Sequence, residues 1–372
     1  MNTSATASEL AALQQHLANA FATGAGQHDR FAGIIGDRPS QYAKSPSLWN
    51  AAFRDLGLNA IFLPFDVDEP KLGDVVDSLR RSERLLGFSV TVPYKISILP
   101  LLDEIDPKAA SIGAVNTVAR TPDGRLVGYN TDGSGFLASL TTAVVDAPLF
   151  DGALGDVDAL LIGAGGAARA AAFYLAECIR PGRIFVANRT RAGAAALAEA
   201  VNAAYGNATA IEEQEIDRVA LQVGLVINSS TKGQAGLRKT ADGRLTMLEP
   251  YSALAMASPA PVSGDPDSGE ARQRWFAASL SDIEQNNRRS MELAAHIPVR
   301  TAGYDLVYAP VETVFLRHLR QSGHRTANGK GMNIAQAVDG FCDRVCAPFL
   351  VESGLEPVST RQRVTEAMRT VW

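Results

Sequence analysis

The stretch GFSVTVPYK, residues 87–95, carries an alternating apolar run into Pro93, Tyr94 and a single amine, Lys95. Two other stretches place polar side chains just after apolar residues. They are IGAVNTV, residues 112–118, with Asn116, and GYNTDGSG, residues 128–135, with Asp132. An amine, a carboxamide and a carboxylate at the ends of strand-like segments make a polar floor, and such groups hold hydroxyls and carry protons. Taken singly, each has a plainer reading. A Lys after a Pro is an ordinary solvated residue, and Asn and Asp in turns satisfy local backbone amides. Their chemistry depends on what the rest of the chain sets beside them.

A second kind of chemistry is written in DALLIGAGGAARA, residues 158–170. Gly163, Gly165 and Ala168 occupy the positions of a G-x-G-x-x-G/A turn between an apolar strand and a helix. The first glycine permits the tight turn, the second lets a pyrophosphate approach bare backbone, and Ala168 lets helix and strand pack closely. Gly166 and Ala167 begin the helix, whose amides and positive dipole end suit a phosphate. The plain alternative is an ordinary glycine-rich turn. Where a dinucleotide site for NAD carries an acid, at the end of its second strand, the chain reads Asn188, Arg189, Thr190 and Arg191. A carboxylate there would repel a ribose 2′-phosphate, whereas two guanidiniums and a hydroxyl hold it. The expected cofactor is NADP.

Elements must position these groups, and composition bounds what they are. The 372 residues suffice for two domains, and 46% apolar with 20% charged residues is globular composition. A net charge of -5 without a basic block argues against nucleic acid and anionic membrane as partners. No apolar run approaches the roughly 20 residues that span a bilayer. Cys178, Cys342 and Cys346 make no disulfide framework, which fits a reducing cytoplasm. Cys342 and Cys346 have a spacing that can bind metal, but no His lies at a matching position, so no metal is expected.

Short apolar runs alternate with helical stretches over residues 32–145 and again from 158 onward, which predicts βαβ units and mostly parallel sheets. The expected fold class is α/β with two domains. Residues 1–30 read as a helical extension and 31–145 as an α/β substrate domain, completed by C-terminal helices in 311–372. Residues 150–310 read as a Rossmann domain with an insertion around 234–302. The hinge between the two series falls in DAPLFDGALGDV, and SPAPVSGDPDSGE, residues 258–270, reads as a mobile loop. SLSDIEQNNRRSMELAAH, further on, has helical character.

SVTVPYK, GAVNT, NTDGSG, GAGGAARA, NRT, INSSTKG, VYAPVET and GMNIAQ, in that order, resemble the shikimate dehydrogenase family over roughly residues 32–345. The resemblance implies NADP-dependent interconversion of shikimate and 3-dehydroshikimate, with relatives that use quinate and NAD. It implies that Lys95 and Asp132 are the catalytic pair. Oxidising a secondary alcohol requires hydride loss from carbon and proton loss from oxygen, and either residue of such a pair can take the proton. The resemblance further gives Asn116 to ring hydroxyls and Gln336 to the substrate from the returning helix. It gives Ser45, Ser89 and Thr91 to the substrate carboxylate and neighbouring hydroxyls, and sets Tyr308 near the cleft. Gly331 and Met332 should lie by the nicotinamide, with Ser230 and Thr231 along the cofactor.

The chain departs from the family pattern in QYAKSPSLWN, where Ala43 stands in place of the first serine of S-x-S-P and Trp49 in place of a His. A substrate such as quinate or an amino analogue is the alternative. A ligand-binding regulator that kept the fold is the alternative outside enzymes, and it would be expected to lose the Lys/Asp pair or the glycine turn. The expected partner is a small cyclic hydroxy-acid; the sequence does not fix the oligomeric state, and both a monomer and a homodimer fit it.

Overall fold

The structure is a computed structural model that describes residues 3–152, 154–240 and 243–372. Met1 and Asn2 of the expected N-terminal extension, Ala153 of the expected hinge, and Ala241 and Asp242 of the expected insertion lie outside the described residues. The strands, in chain order, are β1 (Arg30–Gly36), β2 (Ala60–Asp66), β3 (Leu85–Val90), β4 (Glu104–Ile105), β5 (Thr117–Arg120), β6 (Leu126–Tyr129), β7 (Ala159–Ile162), β8 (Ile184–Ala187), β9 (Ala208–Ile211), β10 (Leu225–Asn228), β11 (Leu237–Lys239), β12 (Leu245–Met247), β13 (Ala302–Asp305) and β14 (Thr326–Ala327).

The chain divides into two compact units, Met1–Ala138 with Asn333–Trp372, and Ser139–Met332. These bounds differ from those read in the sequence. Helix Val314–Gln321, expected with the C-terminal part of the substrate domain, belongs to the second unit. Its Phe315, Leu316 and Leu319 are buried with Leu160, Ile162 and Val226 of the second sheet. Burial of that apolar face outweighs proximity in sequence.

In the first unit the sheet runs β2-β1-β3-β5-β6-β4. β1 pairs in parallel with β2 and β3, and β4 with β6, while β5 is antiparallel to both neighbours. The reversal follows from the short TPDG connection between β5 and β6, which is long enough for a hairpin but not for a parallel crossover. Phe31, Ile35, Phe65, Phe88 and Val118 fill the core on one side, joined by Leu10 and Leu13 of the N-terminal helix Thr3–Gln14.

In the second unit every pair of the main sheet is parallel, in the order β14-β13-β10-β7-β8-β9. Read outward from β7, this is the doubly wound dinucleotide-binding order, with its switch point between β7 and β10. The segment after Gly233 turns out to be the crossover from β10 to β13. It contains the antiparallel pair β11–β12 and a helix of 28 residues, Gly269–His296. That helix begins ten residues before the stretch that looked helical in the sequence. Its Trp275 and Ile283 pack on Met247 and Tyr251, and its end sends Leu293 and Ala294 into the sheet's core. The stretch read as a mobile loop is tied at its start: Ser258 N donates to Asp282 Oδ2 at 2.8 Å, and Ala260 N to Ser279 Oγ at 3.1 Å. No described helix is long and apolar enough to cross a membrane.

Candidate active site

β3 ends at Val90, and Thr91 makes the last sheet-like bond, donating its N–H to Ile35 O at 2.9 Å. Pro93 has no amide hydrogen with which to continue. The chain leaving β3 is then held in place. Tyr94, buried, donates its hydroxyl to Val67 O at 2.7 Å, and Lys95 O accepts from Val115 N at 2.8 Å. Lys95 is thereby locked by its backbone, and its Nζ lies 2.6 Å from Asp132 Oδ2. The side chains of the pair are only 18% and 8% exposed, so solvent screens the contact weakly.

Asp132 opens helix Asp132–Thr141, where a carboxylate is favoured by the helix dipole. Asn116 reaches it through the hairpin register that sets Thr117 opposite Tyr129, with Asn116 N bonded to Tyr129 O at 3.1 Å. The Asn116 amide is 3% exposed. Its Nδ2 stands 3.0 Å from Asp132 Oδ1, 3.0 Å from Thr131 Oγ1 and 3.2 Å from Gln336 Oε1. Its Oδ1 accepts from Thr131 N at 2.7 Å. Gln336 comes from helix Lys330–Asp339, which Ser134 ties down by donating to Asp339 Oδ2 at 2.6 Å. Lys95, Asp132, Asn116 and Gln336 therefore meet in one polar cluster. Thr131 and Asp339 were not singled out in the sequence, although Thr131 is the residue before Asp132 and shares its turn.

Ser89 is buried on β3, Thr91 is half-buried just past it, and Ser45 is the buried first residue of helix Ser45–Leu56. Near Ala43, the hydroxyl of Tyr42 donates to Asp37 Oδ1 at 2.9 Å and also lies 3.3 Å from Val92 O. Trp49, in place of the family's His, is a core residue. Its ring lies 4.7 Å from that of Phe62 and 5.1 Å from that of Phe341. Tyr308 belongs to the second unit, where burial pushes its hydroxyl up and the Arg238 charge opposes the shift.

The second unit holds the glycine turn. Gly163 has φ +120°, and a Cβ there would stand 2.7 Å from Ser229 Oγ and 2.9 Å from Ser229 O, so only glycine fits. A Cβ at Gly165 would meet nothing within 4 Å, which leaves space over bare backbone. Helix Gly166–Cys178 starts there with no side-chain cap, and Ala168 is fully buried against the sheet. These features fit a pyrophosphate. At the end of β8, Asn188 Nδ2 donates to Thr190 Oγ1 at 3.0 Å, and Arg189 and Arg191 are exposed cations. That arrangement fits a 2′-phosphate.

Beyond β10, Asn228 Oδ1 accepts from Ser230 N at 2.9 Å and from Ser230 Oγ at 2.7 Å, shaping the loop of Ser230 and Thr231. Lys232 closes it, donating to Glu213 Oε1 at 2.5 Å and Ala255 O at 2.7 Å. Gly331 packs by Ser139, and Met332 is buried. The buried Tyr304 hydroxyl lies 2.7 Å from Ser139 Oγ, and burial pushes it well up. Glu213 and Tyr304 carry no local sequence signal, because their partners lie 19 and 165 residues away.

Residues 34–118 match the family model described as the shikimate dehydrogenase substrate binding domain, and residues 148–249 match that of shikimate / quinate 5-dehydrogenase. A shikimate dehydrogenase (NADP(+)) of Geobacter metallireducens is 34% identical over 350 residues, covering 91% of this chain and 97% of its own. One from Methanocaldococcus jannaschii is 32% identical, covering 87% and 92%. The crystal structure of shikimate 5-dehydrogenase from Thermus thermophilus, in complex with NADP(H) and shikimate, is 28% identical with a TM-score of 0.63, covering 92% of this chain and all of that one. With these relatives spanning nearly its whole length, the chain belongs to the shikimate dehydrogenase family.

Proposed function

We propose that this chain is an NADP-dependent dehydrogenase that interconverts shikimate and 3-dehydroshikimate. The observation that carries the reading is the cluster of Lys95, Asp132, Asn116 and Gln336, an amine, a carboxylate and two amides converging on hydroxyl-binding geometry. Relatives named as NADP-dependent shikimate dehydrogenases, at 31–34% identity, support both substrate and cofactor.

In the oxidising direction the carbon bearing the reacting hydroxyl loses hydride and the oxygen loses a proton. NADP, when bound, supplies the hydride acceptor. Lys95 holds the reacting oxygen, and the proton passes to the Lys95–Asp132 pair and on to solvent. Asp132 keeps the amine aimed and accepts a hydrogen bond from a neighbouring hydroxyl. Asn116 and Gln336 orient the ring hydroxyls, and Ser45, Ser89 and Thr91 serve the carboxylate end. In the second unit, Gly163, Gly165 and Gly166, with Ala167 and Ala168, cradle the pyrophosphate, and Asn188, Arg189, Thr190 and Arg191 take the 2′-phosphate. Ser230, Thr231, Gly331 and Met332 flank the remainder of the cofactor, and Tyr308 is the second unit's candidate substrate contact. The three cysteines, which make no disulfide framework in the sequence, support a reducing, cytoplasmic setting.

The test is initial-rate measurement with shikimate and quinate, each against NADP and NAD. Fast turnover of shikimate with NADP is expected. Cofactor binding without turnover of either substrate would overturn the reading.

A further inference from the structure

The end of β8 carries no acid in the sequence, but the sheet brings one to it. β9 lies beside β8 with Ile211 opposite Ala187, so the residue after β9, Glu212, sits next to the Asn188–Arg191 turn. Glu212 Oε1 lies 2.5 Å from Arg191 Nη1. Glu212 and Glu215 form a reciprocal capping box, with Glu212 N donating to Glu215 Oε2 at 2.9 Å. Glu215 is in turn held by Arg218 at 2.7 Å. The result is a carboxylate seated on one of the two guanidiniums expected to hold the 2′-phosphate.

We infer that Glu212 is a specificity-determining residue that sets the ratio of NADP to NAD binding. The inference rests on the cofactor reading above. A 2′-phosphate entering this turn must share Arg191 with Glu212 or displace it, and it meets the carboxylate's repulsion. A ribose 2′-hydroxyl meets an acceptor instead. Glu212 thus holds the preference for NADP below what Arg189 and Arg191 would give unopposed. The pair is largely exposed, 78% for Arg191 and 40% for Glu212, so the effect is modest and falls with salt.

Glu212→Gln removes the charge and keeps an acceptor for the capping box. Dissociation constants of NADP and NAD, measured by titration on the full chain at low and high salt, test the idea. Glu212→Gln is expected to tighten NADP about three- to fivefold with NAD unchanged or weaker, more so at low salt, and to keep only part of this effect in an Arg191→Ala background. If Arg191→Ala weakens NADP but Glu212→Gln leaves the ratio unchanged or lowers it, the inference fails and the cofactor reading stands. If Arg189→Ala and Arg191→Ala both leave NADP binding untouched, the assignment of the 2′-phosphate fails, and the role of Glu212 with it. A thermal melt of each variant separates these outcomes from loss of the fold.

Discussion

Lys95 and Asp132 are 37 residues apart in the chain, yet Nζ and Oδ2 lie 2.6 Å apart with both side chains largely shielded from water. Lys95→Ala is expected to lower turnover of shikimate by roughly 10²- to 10⁴-fold, the usual weight of a positioned acid–base group. NADP affinity should change little, since the glycine turn lies in the other unit. Steady-state rates and cofactor titration together check this. A variant that keeps most of its turnover would remove Lys95 from the mechanism.

Asn116 is the hub of the cluster, and its loss is felt in stability as well as rate. Asn116→Ala leaves the buried Thr131 N–H without the acceptor it now has at 2.7 Å. Stranding a buried donor costs about 1–3 kcal/mol, which in a unit of this size lowers the melting temperature by a few degrees. Calorimetry should show this drop, with turnover reduced further than unfolding explains.

Ala43 stands where the family has a serine, and the nearby Tyr42 hydroxyl is already engaged with Asp37. Ala43→Ser is expected to lower the KM for shikimate at least about fivefold with kcat little changed, the worth of one hydrogen bond to a carboxylate. An unchanged KM would mean that another donor already fills the place.

Asp305 is fully buried on β13, under Thr313 Oγ1 at 2.6 Å, Asn228 Nδ2 at 2.9 Å and Val307 N at 2.9 Å. Burial pushes its carboxyl up to about 7 from an ordinary 3.8, with the three donors pulling the other way. The native state therefore holds a proton that the unfolded chain has lost over this interval. The Asp305 contribution to stability is fully present below about pH 4 and declines as pH rises to about 7. The total is at most about 4 kcal/mol. Urea unfolding at pH 5 and pH 8 should show a smaller difference for Asp305→Asn than for the native chain. An equal difference in both would show that Asp305 does not titrate in this range.

Much of this was legible in the chain itself. GAGGAARA announces its turn because glycine, strand and helix signals are local, and Lys95 stands out because Pro93 ends its strand. The run NRTR pointed to a 2′-phosphate by charge alone. The antiparallel β5 went unread, because a mostly parallel pattern hides one reversed strand unless the shortness of TPDG is weighed. The helix Gly269–His296 was read too short, since RQRWFAA lacks a clear start signal beyond the Ser268 cap.

What the sequence determined by itself is therefore the set of local devices: the glycine turn, the strand ends that bear polar side chains, and the cations at the end of β8. What only the tertiary structure decided is which of them meet. Gln336 reaches Asn116 across 220 residues, and Glu212 reaches Arg191 because Ile211 pairs with Ala187 in the sheet. Backbone preference acts over a few neighbouring residues. Contacts between distant side chains follow strand order and register, which are set by burying both faces of each sheet at once.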